Sequence, residues 1–221
     1  MDNQSSSQNP VTQLLTTVSD IFVASVLFFA CCIPIVTIGP SATALYAVML
    51  KMENGENDGV VSSFFKSFRE NFKQALLISV ILLLVVAFLA VDIYFFLSGI
   101  LNAPMLLQLI IWVALLIPVC AIGYVFPMIA RFEVKTRRTL VNALIITVTH
   151  IPHSIAMLLV NMLPLIILIL SPTLFSQTLI LWPFFGFGLQ AKMNAKILHP
   201  IFQKLFPKEQ EETMTEDAAN E

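Results

Sequence analysis

The amino-acid sequence predicts an all-α protein, a polytopic bundle of about five transmembrane helices with amphipathic cytoplasmic helices. Of its 221 residues, 57% are hydrophobic and only 12% are charged, whereas charged residues make up about a quarter of ordinary soluble domains. The mean hydropathy is +0.86. So few charges could not cover the surface of a soluble domain of this length, so we expect one membrane domain.

The chain begins with a polar segment, residues 1–19, which we expect to be disordered. It contains no Lys or Arg, so it lacks the positively charged region that opens a signal peptide, and we expect the first apolar run to be retained as an anchor. The first span is predicted at about 20–38. Because the uncharged run from Ile21 to Leu50 exceeds the roughly 20 residues of one crossing, a re-entrant pair of half-helices is the alternative.

A polar break is predicted inside this apolar run, after the first span. It supplies four candidate functional residues: Thr37, Gly39, Pro40 and Ser41. Broken membrane helices leave backbone groups that can line a binding site. A hinge at the cytoplasmic membrane surface is the simpler interpretation, because the basic residue Lys51 follows closely.

The segment Val60–Lys73 predicts an amphipathic helix with an aromatic stripe. Its apolar residues recur at spacings of three and four, which places them on one helix face: Val61, Phe64, Phe65, Phe68 and Phe72. We select Phe64, Phe68 and Phe72 as candidate contact residues. Such a helix either lies flat on a membrane surface or packs beneath the bundle, and the pattern leaves both uses open.

Four further spans follow, interrupted by polar connections. They are predicted at about 76–97, 104–130, 152–170 and 173–191. We expect a separate short helix over 139–149 and a second amphipathic helix over 192–206. The membrane domain therefore covers 20–206, and the acidic tail 207–221 is expected to be disordered.

Basic residues predict the orientation of the bundle. All 12 Lys and Arg residues fall in the segments 51–73, 131–138 and 192–208. Short loops rich in these residues stay in the cytoplasm. Five spans then put the C-terminus inside and the N-terminus outside, whereas a re-entrant first segment would put the N-terminus inside.

Asp92 is the acidic residue that lies deep in a predicted span, and it is a candidate functional residue. A carboxylate inside a membrane is costly, so it suggests proton handling or substrate binding. Asp92 is also about five residues from the outer end of its span, roughly 8 Å at 1.5 Å per residue, so its side chain could instead reach the outer interface.

Other polar residues point to structure rather than chemistry. His150 and His153 lack the third ligand of a metal site, and Asn161 and Asn194 suit hydrogen bonds between helices. The sequence contains no phosphate loop, nucleophile elbow or HExxH motif. We therefore expect no enzyme activity, no cofactor, no metal and no nucleic-acid partner; the lipid bilayer is the partner that the composition implies.

Two sequence blocks resemble the YesL family of bacterial integral membrane proteins, which carry domain of unknown function 624. The first is Pro34–Tyr46, PIVTIGPSATALY, and the second is Phe64–Gln74, FFKSFRENFKQ. Asn142–Leu144 and Gly186–Gly188 are similar to weaker, later blocks, so the likeness covers most of 20–206.

The resemblance implies a multi-pass protein of the bacterial plasma membrane. Genes of this family often accompany genes for carbohydrate uptake and breakdown, so it further implies an accessory or regulatory partner of a membrane transport complex. The family supplies no catalytic residues. An autonomous small-solute or proton-coupled transporter, working through Asp92, is the alternative.

Overall fold

The computed structural model describes residues 10–56, 59–98, 104–132 and 136–205. All the secondary structure assigned in these ranges is helical, which confirms the all-α fold. The helices are α1 Pro10–Cys31, α2 Ile38–Glu53, α3 Val60–Glu70, α4 Phe72–Leu97, α5 Met105–Arg131, α6 Thr136–Thr149, α7 Ile151–Leu170, α8 Pro172–Thr178 and α9 Phe187–Leu205. A 3-10 turn at Ile35–Thr37 precedes α2, and a π-helical segment at Trp182–Gly186 precedes α9.

Several of these helices are long and apolar enough to cross a membrane. In the described part of the chain they are Val11–Cys31, Ile35–Glu53, Phe72–Phe96 and Ile151–Leu170. Helices α4 and α7 cover the predicted spans at 76–97 and 152–170, and α5 covers the predicted span at 104–130 except for its first residue. The chain is therefore a helical membrane protein.

The predicted span at 20–38 corresponds to the second half of α1 and the turn after it, whereas α2 begins only at Ile38. Helix α1 begins at Pro10, inside the segment expected to be disordered, and ends at Cys31. Its end is explained by Pro34, which disfavours helical geometry at the preceding residue. The break therefore falls before Thr37 rather than after it, and Pro40 lies in the first turn of α2, where proline is tolerated.

Helix α2 returns toward the start of α1. Thr16 and Asp20 of α1 line the same cavity as Lys51 at the end of α2, so the two helices run in opposite directions. Lys192 of α9 reaches that end as well. The start of α1 therefore lies at the same end of the bundle as Lys51 and Lys192.

The predicted fifth span, 173–191, is interrupted. Helix α8 ends at Thr178, and the π-helical segment Trp182–Gly186 intervenes before α9. Pro183 cannot donate a backbone hydrogen bond, which favours a break there. The ring of Trp182 covers Gly186 so closely that a Cβ atom would overlap it; a larger residue at this position would have to displace that ring.

Helix α2 forms the centre of the bundle. Most of its side chains are buried, and it packs against α1, α3, α4, α5 and α9. Gly39 lies so close to α4 that a Cβ atom would be 2.7 Å from the carbonyl oxygen of Ala75. Beyond this centre, α4 exposes apolar side chains such as Leu84 and Phe88, as expected of a helix surrounded by lipid.

Candidate functional site

A polar cavity of about 550 Å³ lies where the start of α1, the end of α2, α3 and α9 meet. Its polar lining includes Gln13, Thr16, Thr17, Asp20, Lys51 and Lys192. Sites for small molecules usually measure about 300 to 1,000 Å³, so the cavity is large enough to hold one. A second cavity of about 310 Å³, between α7 and the α8–α9 region, is lined mainly by apolar residues such as Leu163 and Trp182.

Charged side chains of both signs stand around the polar cavity. Lys192 Nζ forms an ion pair with Glu53 Oε1 at 3.3 Å and also interacts electrostatically with Asp20. Lys51 Nζ donates a hydrogen bond to Ser63 Oγ at 3.5 Å. These contacts join α1, α2, α3 and α9, and they offer a bound molecule both donors and acceptors.

Sequence reasoning missed this cavity, because four of its lining residues come from the start of α1. Gln13, Thr16, Thr17 and Asp20 recur at spacings of three, one and three, which places them on one face of a helix. That spacing was the sequence signal that could have predicted a helix with one polar face. The polar composition of 1–19 concealed it, since composition alone does not distinguish a disordered segment from a helix with one polar face.

Hydrogen bonds from the side chain of Asn194 connect α9 to Tyr46 of α2 and to Asn161 of α7. Asn194 is fully buried, and its Nδ2 donates to Tyr46 Oη and to Asn161 Oδ1, both at 2.9 Å. Asn194 Oδ1 has no hydrogen-bond partner within the described residues. The expected role of Asn161 and Asn194 in joining helices is confirmed.

The four residues of the predicted break lie away from the polar cavity. Thr37 Oγ1 donates to the carbonyl oxygens of Cys31 and Pro34, both at 2.6 Å, so it closes the reversal between α1 and α2. Gly39, Pro40 and Ser41 are buried in the first turn of α2. Their observed contacts are those of a tightly packed helix start.

The aromatic stripe of α3 divides between two faces. Phe64 is fully buried and stacks on Phe68 with ring centroids 6.3 Å apart, and Phe68 packs against Phe72 at 5.5 Å. This row packs against the bundle. Val61 and Phe65, by contrast, remain 50% and 39% exposed.

The exposed side of α3 forms a surface that we call the α3 contact surface. It comprises Val61, Phe65, Lys66 and Arg69, which line one shallow depression. The depression combines apolar side chains with the cationic Lys66 and Arg69 and the acidic Glu70, while Phe64 anchors the helix from behind. The α3 contact surface is thus held in place by the core.

Asp92 lies on the face of α4 that points toward α5. It is half-buried, as are Leu82, Val85 and Leu89 at helical spacing on the same face. One turn further on, Phe96 packs against Trp112 of α5 with ring centroids 5.1 Å apart. Asp92 Oδ2 is buried and has no hydrogen-bond partner among the residues that the structure describes.

The two histidines at the start of α7 lie near each other. The rings of His150 and His153 are 6.1 Å apart, and His150 Nδ1 hydrogen-bonds Thr149 Oγ1 at 2.9 Å. Within residues 10–56, 59–98, 104–132 and 136–205, no group of three or more His, Cys, Asp or Glu side chains could hold a metal ion. The pair therefore gains no third ligand from the described chain.

Comparison with known proteins shows that part of the chain is similar to a family of uncharacterised proteins. The model of the family described as "Protein of unknown function, DUF624" matches residues 21–93. The Bacillus subtilis (strain 168) protein described as "Uncharacterized protein YteU" is 24% identical over 172 residues, which are 75% of this chain and 72% of that protein. No solved structure matches the chain.

The matched region contains both sequence blocks that carried the resemblance, Pro34–Tyr46 and Phe64–Gln74. It also contains α2, the centre of the bundle, and α3 with its contact surface. The comparisons therefore confirm the resemblance to the family with domain of unknown function 624. Neither description names a substrate or a partner.

Proposed function

We propose, from the match of residues 21–93 to the DUF624 family, that this membrane protein is an accessory or regulatory partner of carbohydrate uptake in the bacterial plasma membrane. The carbohydrate part is supported by the family resemblance. The accessory part is supported by the α3 contact surface. The proposal assigns the chain no catalytic step.

The α3 contact surface is the observation that carries the accessory role. Phe65 is 39% exposed beside Lys66 and Arg69. Aromatic and arginine side chains are enriched at protein interfaces and supply much of their binding energy. Because the core holds α3 through Phe64, a partner would meet a surface that is already ordered, which lowers the entropic cost of binding.

The proposal places both chain termini and the α3 contact surface in the cytoplasm. The start of α1 lies beside Lys51 and Lys192. Helix α9 continues from Lys192 to Leu205, and His199 Nε2 hydrogen-bonds Asn54 Oδ1 at 3.0 Å. All of these groups stand at the end rich in Lys and Arg, which faces the cytoplasm in most membrane proteins.

A site-specific photo-crosslink tests the accessory role. A photoreactive amino acid replaces Phe65 in native membranes, and mass spectrometry identifies the adducts. We expect an adduct with a subunit of a carbohydrate import system, and none from Leu84, an exposed residue of α4 that serves as the control. The absence of a protein adduct at Phe65, together with unchanged carbohydrate uptake when the protein is deleted, would contradict the proposal.

One observation favours a second function, proton-coupled transport of a small solute. Asp92 holds a buried carboxylate oxygen without a hydrogen-bond partner among the described residues. A carboxylate inside a membrane is energetically costly, so its presence there suggests a role in proton or solute transport. Asp92→Asn removes the ionisable proton with little change in shape. Loss of flux in proteoliposomes by a folded variant would support transport, and flux equal to wild type would remove Asp92 from the mechanism.

A further inference from the structure

The first half of α1 is amphipathic, but its apolar face points outward and its polar face points inward, the opposite of a helix in a water-soluble protein. Its apolar side chains face outward: Val11, Leu14, Leu15 and Val18 are 66%, 65%, 60% and 43% exposed. Its polar side chains line the polar cavity: Gln13, Thr16, Thr17 and Asp20. In water, such a helix would turn its apolar face toward the core.

Both faces of α1 are explained if lipid surrounds its outer face and water fills the cavity on its inner face. Hydrocarbon covers apolar side chains without cost, whereas a polar or charged side chain in hydrocarbon is expensive and turns toward the bundle interior or a water-filled cavity. A cavity of about 550 Å³ is present on the polar side. Each side of α1 therefore faces the medium that suits it.

The apolar face continues along α1 beyond the cavity. Phe22 and Phe29 extend it toward the end of the helix. The 18 residue steps from Val11 to Phe29 correspond to about 27 Å at 1.5 Å per residue, close to the roughly 30 Å hydrocarbon thickness of a bilayer. The segment Val11–Cys31 is also long and apolar enough to span a membrane.

We propose that the polar cavity is a hydrophilic vestibule at membrane depth, separated from lipid by the first half of α1 and open to the Lys-rich side. Lys192 is paired with Glu53, and Lys51 shares the cavity with Asp20 and Glu56. Two acidic residues, Asp20 and Glu56, and two basic residues, Lys51 and Lys192, line the cavity, so their formal charges balance. The vestibule takes a small neutral or zwitterionic solute with hydrogen-bond donors and acceptors.

Cysteine accessibility tests the vestibule by comparing residues of α1 that face the cavity with neighbouring residues that face outward. In the full chain with Cys31, Cys32 and Cys120 replaced by alanine, single variants Thr16→Cys and Thr17→Cys are compared with Leu14→Cys and Leu15→Cys in inside-out membrane vesicles. The probes are a cationic methanethiosulfonate, carrying trimethylammonium, and an anionic one, carrying sulfonate. Because the reacting thiolate forms in water and not in hydrocarbon, we expect the threonine positions to react at least about tenfold faster.

Each outcome decides the proposal. Equal reaction at all four positions would show that water covers both faces of α1 and would overturn it. No reaction at Thr16→Cys, Thr17→Cys or a third variant, Gln13→Cys, in protein that elutes as a folded species would show a dry cavity and would also overturn it. A strong preference for either charged probe, after each rate is divided by its rate with a free thiol in water, would contradict the assigned class of solute.

Discussion

Phe64 and Phe65 are adjacent residues of the same type with opposite environments. Phe64 is fully buried beneath α3, whereas Phe65 is 39% exposed. The sequence pattern assigned both to one apolar stripe, because an amphipathic face is wide enough to include neighbouring residues. Their contacts give them different roles: Phe64 holds α3 against the bundle, and Phe65 belongs to the α3 contact surface.

Replacing each phenylalanine by alanine separates these roles. Phe64→Ala removes a buried ring and leaves a cavity, so we expect the free energy of unfolding to fall by about 3 to 5 kcal/mol. Phe65→Ala is expected to change it by less than about 1 kcal/mol. Thermal unfolding of both purified variants in the same detergent measures the difference.

The crosslinking partner supplies the second readout for this pair. Phe65→Ala should reduce co-purification of that partner without lowering the unfolding temperature appreciably. An equal loss of stability in the two variants would mean that Phe65 is part of the core. The α3 contact surface would then lose its central residue.

Individual residues also show how far sequence alone could predict the site. The hydrogen bond between Asn161 and Asn194 was predictable from their residue type, because an amide in a membrane helix needs a partner. Asp92 was predictable as an isolated acid, but its position facing α5 depends on the rotation of α4. The exposed position of Phe65 depends on how α3 docks, which no local pattern contains.

At the scale of helices, the boundaries of α1 and α2 were the least predictable feature. A polar stripe of Gln13, Thr16, Thr17 and Asp20 lowers the hydropathy of the first half of α1, so hydropathy alone places the start of the apolar run at Ile21. The two prolines in this region have different structural effects. Pro34 follows the end of α1, whereas Pro40 lies in the first turn of α2. The compatibility of Pro40 with a helix can be recognised only when the first residue of α2 is known.

The pairing of α2 with α9 predicts a measurable coupling. Lys192→Glu places a carboxylate beside Glu53, where the ion pair now measures 3.3 Å. We expect a loss of about 1 kcal/mol in the free energy of unfolding, since the pair is partly exposed to solvent. Adding Glu53→Lys should restore only part of that loss, because the new glutamate still faces Asp20.

Lys196→Glu is the matched control for this charge reversal. Lys196 lies on the same helix, one turn away, and is exposed. Its reversal should leave the free energy of unfolding almost unchanged. A double-mutant cycle from denaturant unfolding measures the coupling, and a coupling of zero between Lys192 and Glu53 would contradict the observed contact.

At the scale of the whole molecule, the proposed orientation rests on two features. All Lys and Arg residues fall in 51–73, 131–138 and 192–208, and the reversal between α1 and α2 brings the start of α1 to the end where Lys51 and Lys192 stand. The connections outside these segments contain no basic residue. The charge distribution is read directly from the sequence, whereas the number of crossings ahead of Lys51 depends on the turn before α2.

An epitope tag on each terminus tests this orientation. We expect both tags to be protected from protease in intact spheroplasts and to be cleaved after the membrane is permeabilised, because a hairpin of α1 and α2 returns the chain to the side on which it began. A tag inserted in the connection between α4 and α5 should be cleaved without permeabilisation and serves as the control. Cleavage of the N-terminal tag in intact spheroplasts would restore the five-span topology, and it would also place the opening of the polar cavity on the outer side, where the reagents of the cysteine experiment should then act from outside the cell.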